Sequence, residues 1–115
     1  MQERIDALAA FTDSKKHLSR QFGTPAFLHA CHAIKEYMQQ AGLETRIDAA
    51  LNVRGILRSA NENARTLVIG SHFDTIENSG QFNGTLGILI AIEAAASLIK
   101  KRVTLPFHLE VIAFS

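Results

Sequence analysis

Tryptophan is absent from this chain, and there is one tyrosine, one cysteine and two prolines in 115 residues. The lone Cys31 cannot close an internal disulfide, so a disulfide-stapled scaffold is excluded and a reducing cytoplasm is the expected location. Neither sign of charge is in excess: twelve Lys and Arg stand against eleven Asp and Glu, for a net +1. Without a basic field, neither nucleic acid nor an anionic membrane is expected as a partner. No apolar run approaches the roughly 18 residues of a spanning helix. Residues 1–20 carry Glu3, Asp6 and Asp13 and no apolar stretch, so no secretory leader is expected. Repeats, low-complexity tracts and Gly- or Ser-rich linkers are missing too, which leaves one domain over 1–115.

What is present alternates helix and strand. Ile5, Leu8, Ala9 and Phe11 recur at helical spacing, predicting a short helix that ends near Thr12-Asp13. Residues 13–23 read as a loop. Thr24-Pro25 is a helix start, a hydroxyl N-cap before a proline at the first helical position. That helix places Phe27, Leu28, Cys31, Ile34, Tyr37 and Met38 on one side and stops at Gly42. Residues 44–49 and 52–58 read as neighbouring strands, and Thr66 to Gly70 as a third, continuously apolar strand expected in the buried middle of a sheet. A helix follows over 85–101, then a strand over 107–114 introduced by Pro106. The fold class is α/β. Leu86, Ile88, Leu89, Ile90, Ile92, Leu98 and Ile99 point in nearly every direction around the 85–101 helix. A helix apolar all round is buried all round, which asks for more protein than these residues contain.

The chemistry concentrates in Leu67-Val-Ile-Gly-Ser-His72-Phe-Asp74-Thr75 and, after a short polar loop, Phe82-Asn83-Gly84-Thr-Leu-Gly87. An imidazole and a carboxylate stand at the carboxyl end of an apolar strand, where open α/β sheets place their sites. Residues two apart on a strand face the same side, so His72 and Asp74 can meet. Histidine is a common metal ligand whose second ring nitrogen donates to a carboxylate, so His72 as ligand and Asp74 as orienting partner is one reading. A strand-end hydrogen-bonded pair holding no metal is the other. Asn83 falls just before a helix N-terminus, where backbone N–H groups favour an anion.

These segments, with Leu105-Pro-Phe and the strand running to Ser115, resemble the amino-terminal part of di-metal amidohydrolases related to aminoacylases and carboxypeptidases. Within them the resemblance is to allantoate amidohydrolase and N-carbamoyl-L-amino-acid hydrolase. Leu18-Ser-Arg20 with Thr24-Pro25, Tyr37-Met38 with Ala41-Gly42-Leu43, and Asp48 with Asn52-Val53 and Gly55 match in the same order. The resemblance implies an aminopeptidase-like catalytic domain, a three-layer sheet with helices on both faces. It implies two divalent metals (zinc, manganese, cobalt or nickel), with His72 ligating one and Asp74 behind it as the catalytic orienting carboxylate. It places Asn83 where the family has an aspartate bridging both metals. An amide is neutral and offers one carbonyl oxygen, so binding here is expected to be weak or limited to a single ion. The catalytic glutamate, a further acidic ligand and the lid domain are expected beyond the strand that ends at Ser115. The implied substrate is a small ureido or amide compound, allantoate first and an N-carbamoyl amino acid second. A non-catalytic remnant or association module is the alternative from a different class.

The other histidines read as structural. His29 and His32, at i and i+3 beside Cys31, have metal-compatible spacing but fit a solvated or packed helix face. His17 and His108 lack local partners. Lys100-Lys101-Arg102 complements a helix C-terminus. The uncovered helix and an open sheet edge, with the 107–114 strand partly bare, predict a homo-oligomer.

Overall fold

The computed structural model describes residues 1–115. In chain order the elements are α1 (Gln2–Ala9), α2 (Pro25–Ala41), β1 (Glu44–Ile47), β2 (Val53–Leu57), β3 (Thr66–His72), α3 (Thr85–Lys100) and β4 (His108–Phe114). They make a four-stranded mixed sheet in the order β1-β2-β4-β3, and none of the helices is long and apolar enough to cross a membrane.

Local chemistry sets the boundaries. Thr24 Oγ1 accepts the Phe27 N–H at 3.3 Å and Pro25 opens α2, so two otherwise orphaned positions of the first turn are dealt with. At the far end Gly42 takes φ 96°, a left-handed conformation that stops the helix. Ala26, Phe27, Ala30, Cys31, Ile34 and Met38 form the buried face, while Leu28, expected among them, is exposed. Ile34 and Met38 are completely buried, so truncating either to alanine would cost about 2–5 kcal/mol.

β1 and β2 form an antiparallel hairpin closed by residues 48–52, with Ile47 opposite Val53. The Asp48 carboxylate builds that turn: it accepts the N–H groups of Ala50 and Asn52 at 3.0 Å and the Asn52 side-chain amide at 3.1 Å. Leu51 takes φ 65° within it. β2 runs antiparallel to β4, and β3 runs parallel to β4 through the α3 crossover. Alternation along the strands sends Val53, Gly55, Leu109, Val111 and Ala113 toward the helices, where the four non-glycine residues join Phe27, Ile34, Met38, Ile88 and Ile92 in one core. α2 packs on β1 and β2, α3 on β3 and β4, and α1 against α3.

The opposite sheet face carries Arg54, Glu110, Ile112 and Phe114, and Arg54 Nε donates to Glu110 Oε1 at 2.7 Å. The mixed α/β class is as read from the sequence. All three helices sit on one face, so the second helical layer implied by the resemblance is not supplied by these residues.

Two strand expectations need correcting. β3 is not in the middle of the sheet but at its edge, with Leu67 and Val68 each 47 % exposed and Ile69 39 %. A run apolar on both faces announces two faces to cover, and here its only strand neighbour is β4 and its outer face is bare. β4, expected to be partly uncovered, lies between β2 and β3 with His108, Leu109, Val111, Ile112 and Ala113 buried. α3 buries Ile88, Leu89, Ala91, Ile92 and Ala95 and leaves Ile90 51 % exposed, as expected of an apolar helix covered on one side.

Candidate functional site

β3 delivers His72 as its last residue, and the strand pairing fades there: Phe73 N–H still reaches Phe114 O at 3.2 Å, and Asp74 lies beyond. Alternation nevertheless persists. Phe73 turns into the core and stacks on Phe27 with ring centroids 4.6 Å apart, so the side chains on either side of it turn outward together. His72 Nδ1 then lies 3.1 Å from both Asp74 Oδ1 and the Asp74 carbonyl oxygen. Both are acceptors, so Nδ1 carries the proton and the lone pair of the neutral ring is on Nε2. Each side chain is close to half exposed, and no protein group hydrogen-bonds to Nε2.

The second segment meets the first at Gly84. This residue caps α3 with φ 73° and lies directly against His72: a Cβ there would fall 2.7 Å from Nε2 and 2.6 Å from Cε1. Asn83, exposed beside it, is thereby brought to the His72 end of the sheet, while its own carbonyl accepts the Thr85 N–H at 2.9 Å. His72, Asp74 and Asn83 thus share one end of β3. No group of three or more His, Cys, Asp or Glu side chains converges anywhere in the chain. The donor set here is a single oriented imidazole with a carboxylate behind it, whereas zinc ordinarily takes three or four protein ligands.

The remaining histidines are elsewhere. His29 and His32 are exposed on α2 beside Phe11, whose ring is 6.1 Å from that of His29, and no third ligand-type side chain joins them. His108 is buried and structural, but it has partners that its neighbours in sequence do not reveal. Its Nδ1 accepts the Ser59 N–H at 2.9 Å, so Nε2 carries the proton toward Glu62 O at 3.2 Å. His17 also has a partner, Glu77, with Nε2 to Oε1 at 3.5 Å. That contact lashes the 13–23 loop to the loop between the two halves of the motif, as does the Ser79 N–H on Leu18 O at 3.1 Å.

Arg20 lies in the irregular 13–23 segment, yet its side chain is buried. Periodicity has nothing to say about an irregular segment, and the one signal was its place in the Leu18-Ser-Arg20 match. It is buried behind Phe73 and hydrogen-bonded to the strand exit.

No protein-family model matches the chain. It is 43 % identical over 114 residues to allantoate deiminase 1 of Glycine max, an alignment covering 97 % of this chain and 24 % of that protein. It is 35 % identical over 82 residues to the N-carbamoyl-L-amino acid amidohydrolase of Geobacillus stearothermophilus, covering 71 % of this chain and 20 % of that one. Among solved structures, that of AtUAH in complex with glyoxylate superposes with a TM-score of 0.92 at 34 % identity, over 98 % of this chain and 27 % of the other. The chain spans about a quarter of the length of the curated relatives it matches.

Proposed function

Because the chain belongs to the family of allantoate deiminases and N-carbamoyl-L-amino-acid amidohydrolases, we propose that it contributes the His72 corner of a divalent-metal site that hydrolyses a linear ureido or amide C–N bond. The observation that carries this reading is the His72 Nδ1–Asp74 hydrogen bond, which leaves Nε2 free at the carboxyl end of β3, beside Asn83 and Gly84. Allantoate is the first substrate candidate and an N-carbamoyl amino acid the second. The cytoplasm is the proposed location, in keeping with the single unpaired Cys31.

In this reading His72 Nε2 is the ligand atom, and Asp74 fixes the tautomer and strengthens the imidazole as a donor. A bound divalent ion supplies Lewis acidity toward the substrate carbonyl and toward water. Asn83 offers a neutral oxygen where the family is implied to bring a carboxylate, so metal binding is weak. A general base contributes at least about two orders of magnitude in such reactions. No glutamate or aspartate other than the orienting Asp74 is brought to His72, and these 115 residues alone are inactive as a hydrolase.

Zinc titration tests the assignment. Binding should be lost in His72→Ala and kept in His29→Ala and His32→Ala. Affinity that survives His72→Ala would move the site to α2, and family-rate turnover of allantoate by the pure 115-residue protein would overturn its inactivity. The second reading, an association module, draws support from the bare apolar edge at Leu67, Val68 and Ile69.

A further inference from the structure

Arg20 is the largest of the fully buried side chains, at 1 % exposure. Burial lowers its pKa, and the nearby carboxylates of Asp74 and Asp13 oppose that shift. A guanidinium still keeps its proton at neutral pH, so the buried cation must be matched by acceptors. Nε donates to Phe73 O at 2.9 Å, Nη1 to Leu8 O at 2.5 Å and Phe11 O at 3.1 Å, and Nη2 to Thr85 Oγ1 at 3.3 Å. The main chain adds two more bonds: Arg20 N–H donates to Thr75 Oγ1 at 2.7 Å, and Thr75 N–H donates back to Arg20 O at 2.9 Å.

The acceptors have a common geometry. Phe73 and Thr75 flank Asp74, the residue that orients His72. Thr85 opens α3 directly after Gly84, the residue packed against the His72 ring. A buried arginine must satisfy its five N–H donors whatever its role, and Leu8 O in α1 and Phe11 O just beyond it meet part of that need. This one also ties the strand exit to the start of α3, 53 and 65 residues away in sequence.

We propose that Arg20 is a positioning residue for the His72 site, holding the exit of β3 and the first turn of α3 at one spacing so that Nε2 keeps its direction beside Asn83. The proposal rests on His72 being the metal ligand, as argued above. Removing the guanidinium outright takes the charged donor from the carbonyls of Phe73, Leu8 and Phe11 and endangers folding, so the informative variants are Thr85→Val and Thr85→Ser. The first removes only the acceptor on α3, and the second restores it.

In metal-free protein, a nuclear Overhauser contact between the His72 Hε1 proton and the Gly84 Hα protons reads the spacing. Zinc titration reads the consequence. Thr85→Val should keep a cooperative thermal transition, lose the contact and bind zinc about tenfold more weakly, the effect usual for groups that orient a ligand. Thr85→Ser should match the unaltered protein in both. A lowered thermal midpoint with contact and affinity unchanged in Thr85→Val would make Arg20 merely structural and overturn the proposal. If the unaltered protein fails to bind zinc at His72, the ligand reading falls, and the Overhauser arm still decides what Arg20 does.

Discussion

Gly84 and His72 touch without room for a side chain between them: a Cβ on Gly84 would lie 2.4 Å from the His72 carbonyl oxygen as well as against the ring. Two penalties therefore meet in Gly84→Ala. The φ of 73° costs a non-glycine residue about 1–3 kcal/mol, and the methyl must also displace the end of β3. Urea unfolding should show a loss at the upper end of that range, with weakened zinc binding. A change within about 0.5 kcal/mol, ordinary for a surface position, would mean the contact is soft.

Asn83→Asp should raise zinc affinity about tenfold. A charge-assisted contact is worth on the order of 1.4 kcal/mol more than a neutral one, and the exposed position needs no repacking. Calorimetry that finds no gain would show that residue 83 does not face the ion.

The Asp48 turn makes a pH-dependent contribution. Hydrogen bonding from the Asn52 side chain, then from the backbone N–H groups of Asn52 and Ala50 and the charge of Arg54, outweighs desolvation and holds this carboxyl below its ordinary pKa. A depressed folded-state pKa adds stability that is whole above the unfolded value and fades as the pH falls toward the folded one. The thermal midpoint of Asp48→Ala should therefore lie below that of the unaltered protein at neutral pH, and the gap should narrow on acidification below the ordinary carboxylate pKa. A gap that stays constant with pH would remove the carboxylate from the account.

Cys31 should be unreactive while the protein is folded. Burial in the core raises its pKa first, and the charge of Asp48 adds to the effect, so the thiol holds its proton. Iodoacetamide labelling in mild alkali should be slow in native buffer and fast in urea. Equal rates would place Cys31 at the surface.

Self-association should run through β3. Its exposed Leu67, Val68 and Ile69 form an open apolar edge with unpaired backbone groups. Sedimentation equilibrium should show a dimer or larger species that Val68→Lys converts to monomer. Association that survives this substitution would point to the exposed side of α3 around Ile90.

Much of this could be read along the chain, because the signals were local. The Thr24-Pro25 start, the Gly42 stop and the alternation in residues 44–57 each act within a few positions. The meeting of His72 and Asp74 was also local, a matter of spacing by two. The edge position of β3 was not legible: an apolar run says how much surface wants covering and is silent on strand order. Arg20 was missed for the same reason, since its acceptors Phe73 and Thr85 are far away in sequence. The partners of His108, Ser59 and Glu62, are likewise brought in by the fold.

The strand order also dictates a sequence of events in time. The β1–β2 hairpin needs only residues 44–57 and can close as soon as they exist. β3 has no pairing partner until β4 has been made, and the two must align in parallel after α3 has formed between them. On a ribosome the apolar segment Thr66–His72 would therefore emerge early and wait, unpaired, through the synthesis of α3 and β4. Long-range parallel pairing is slow and exposes strand edges to other chains. The segment that ends in His72 thus stays open to pairing with other chains until β4 is complete.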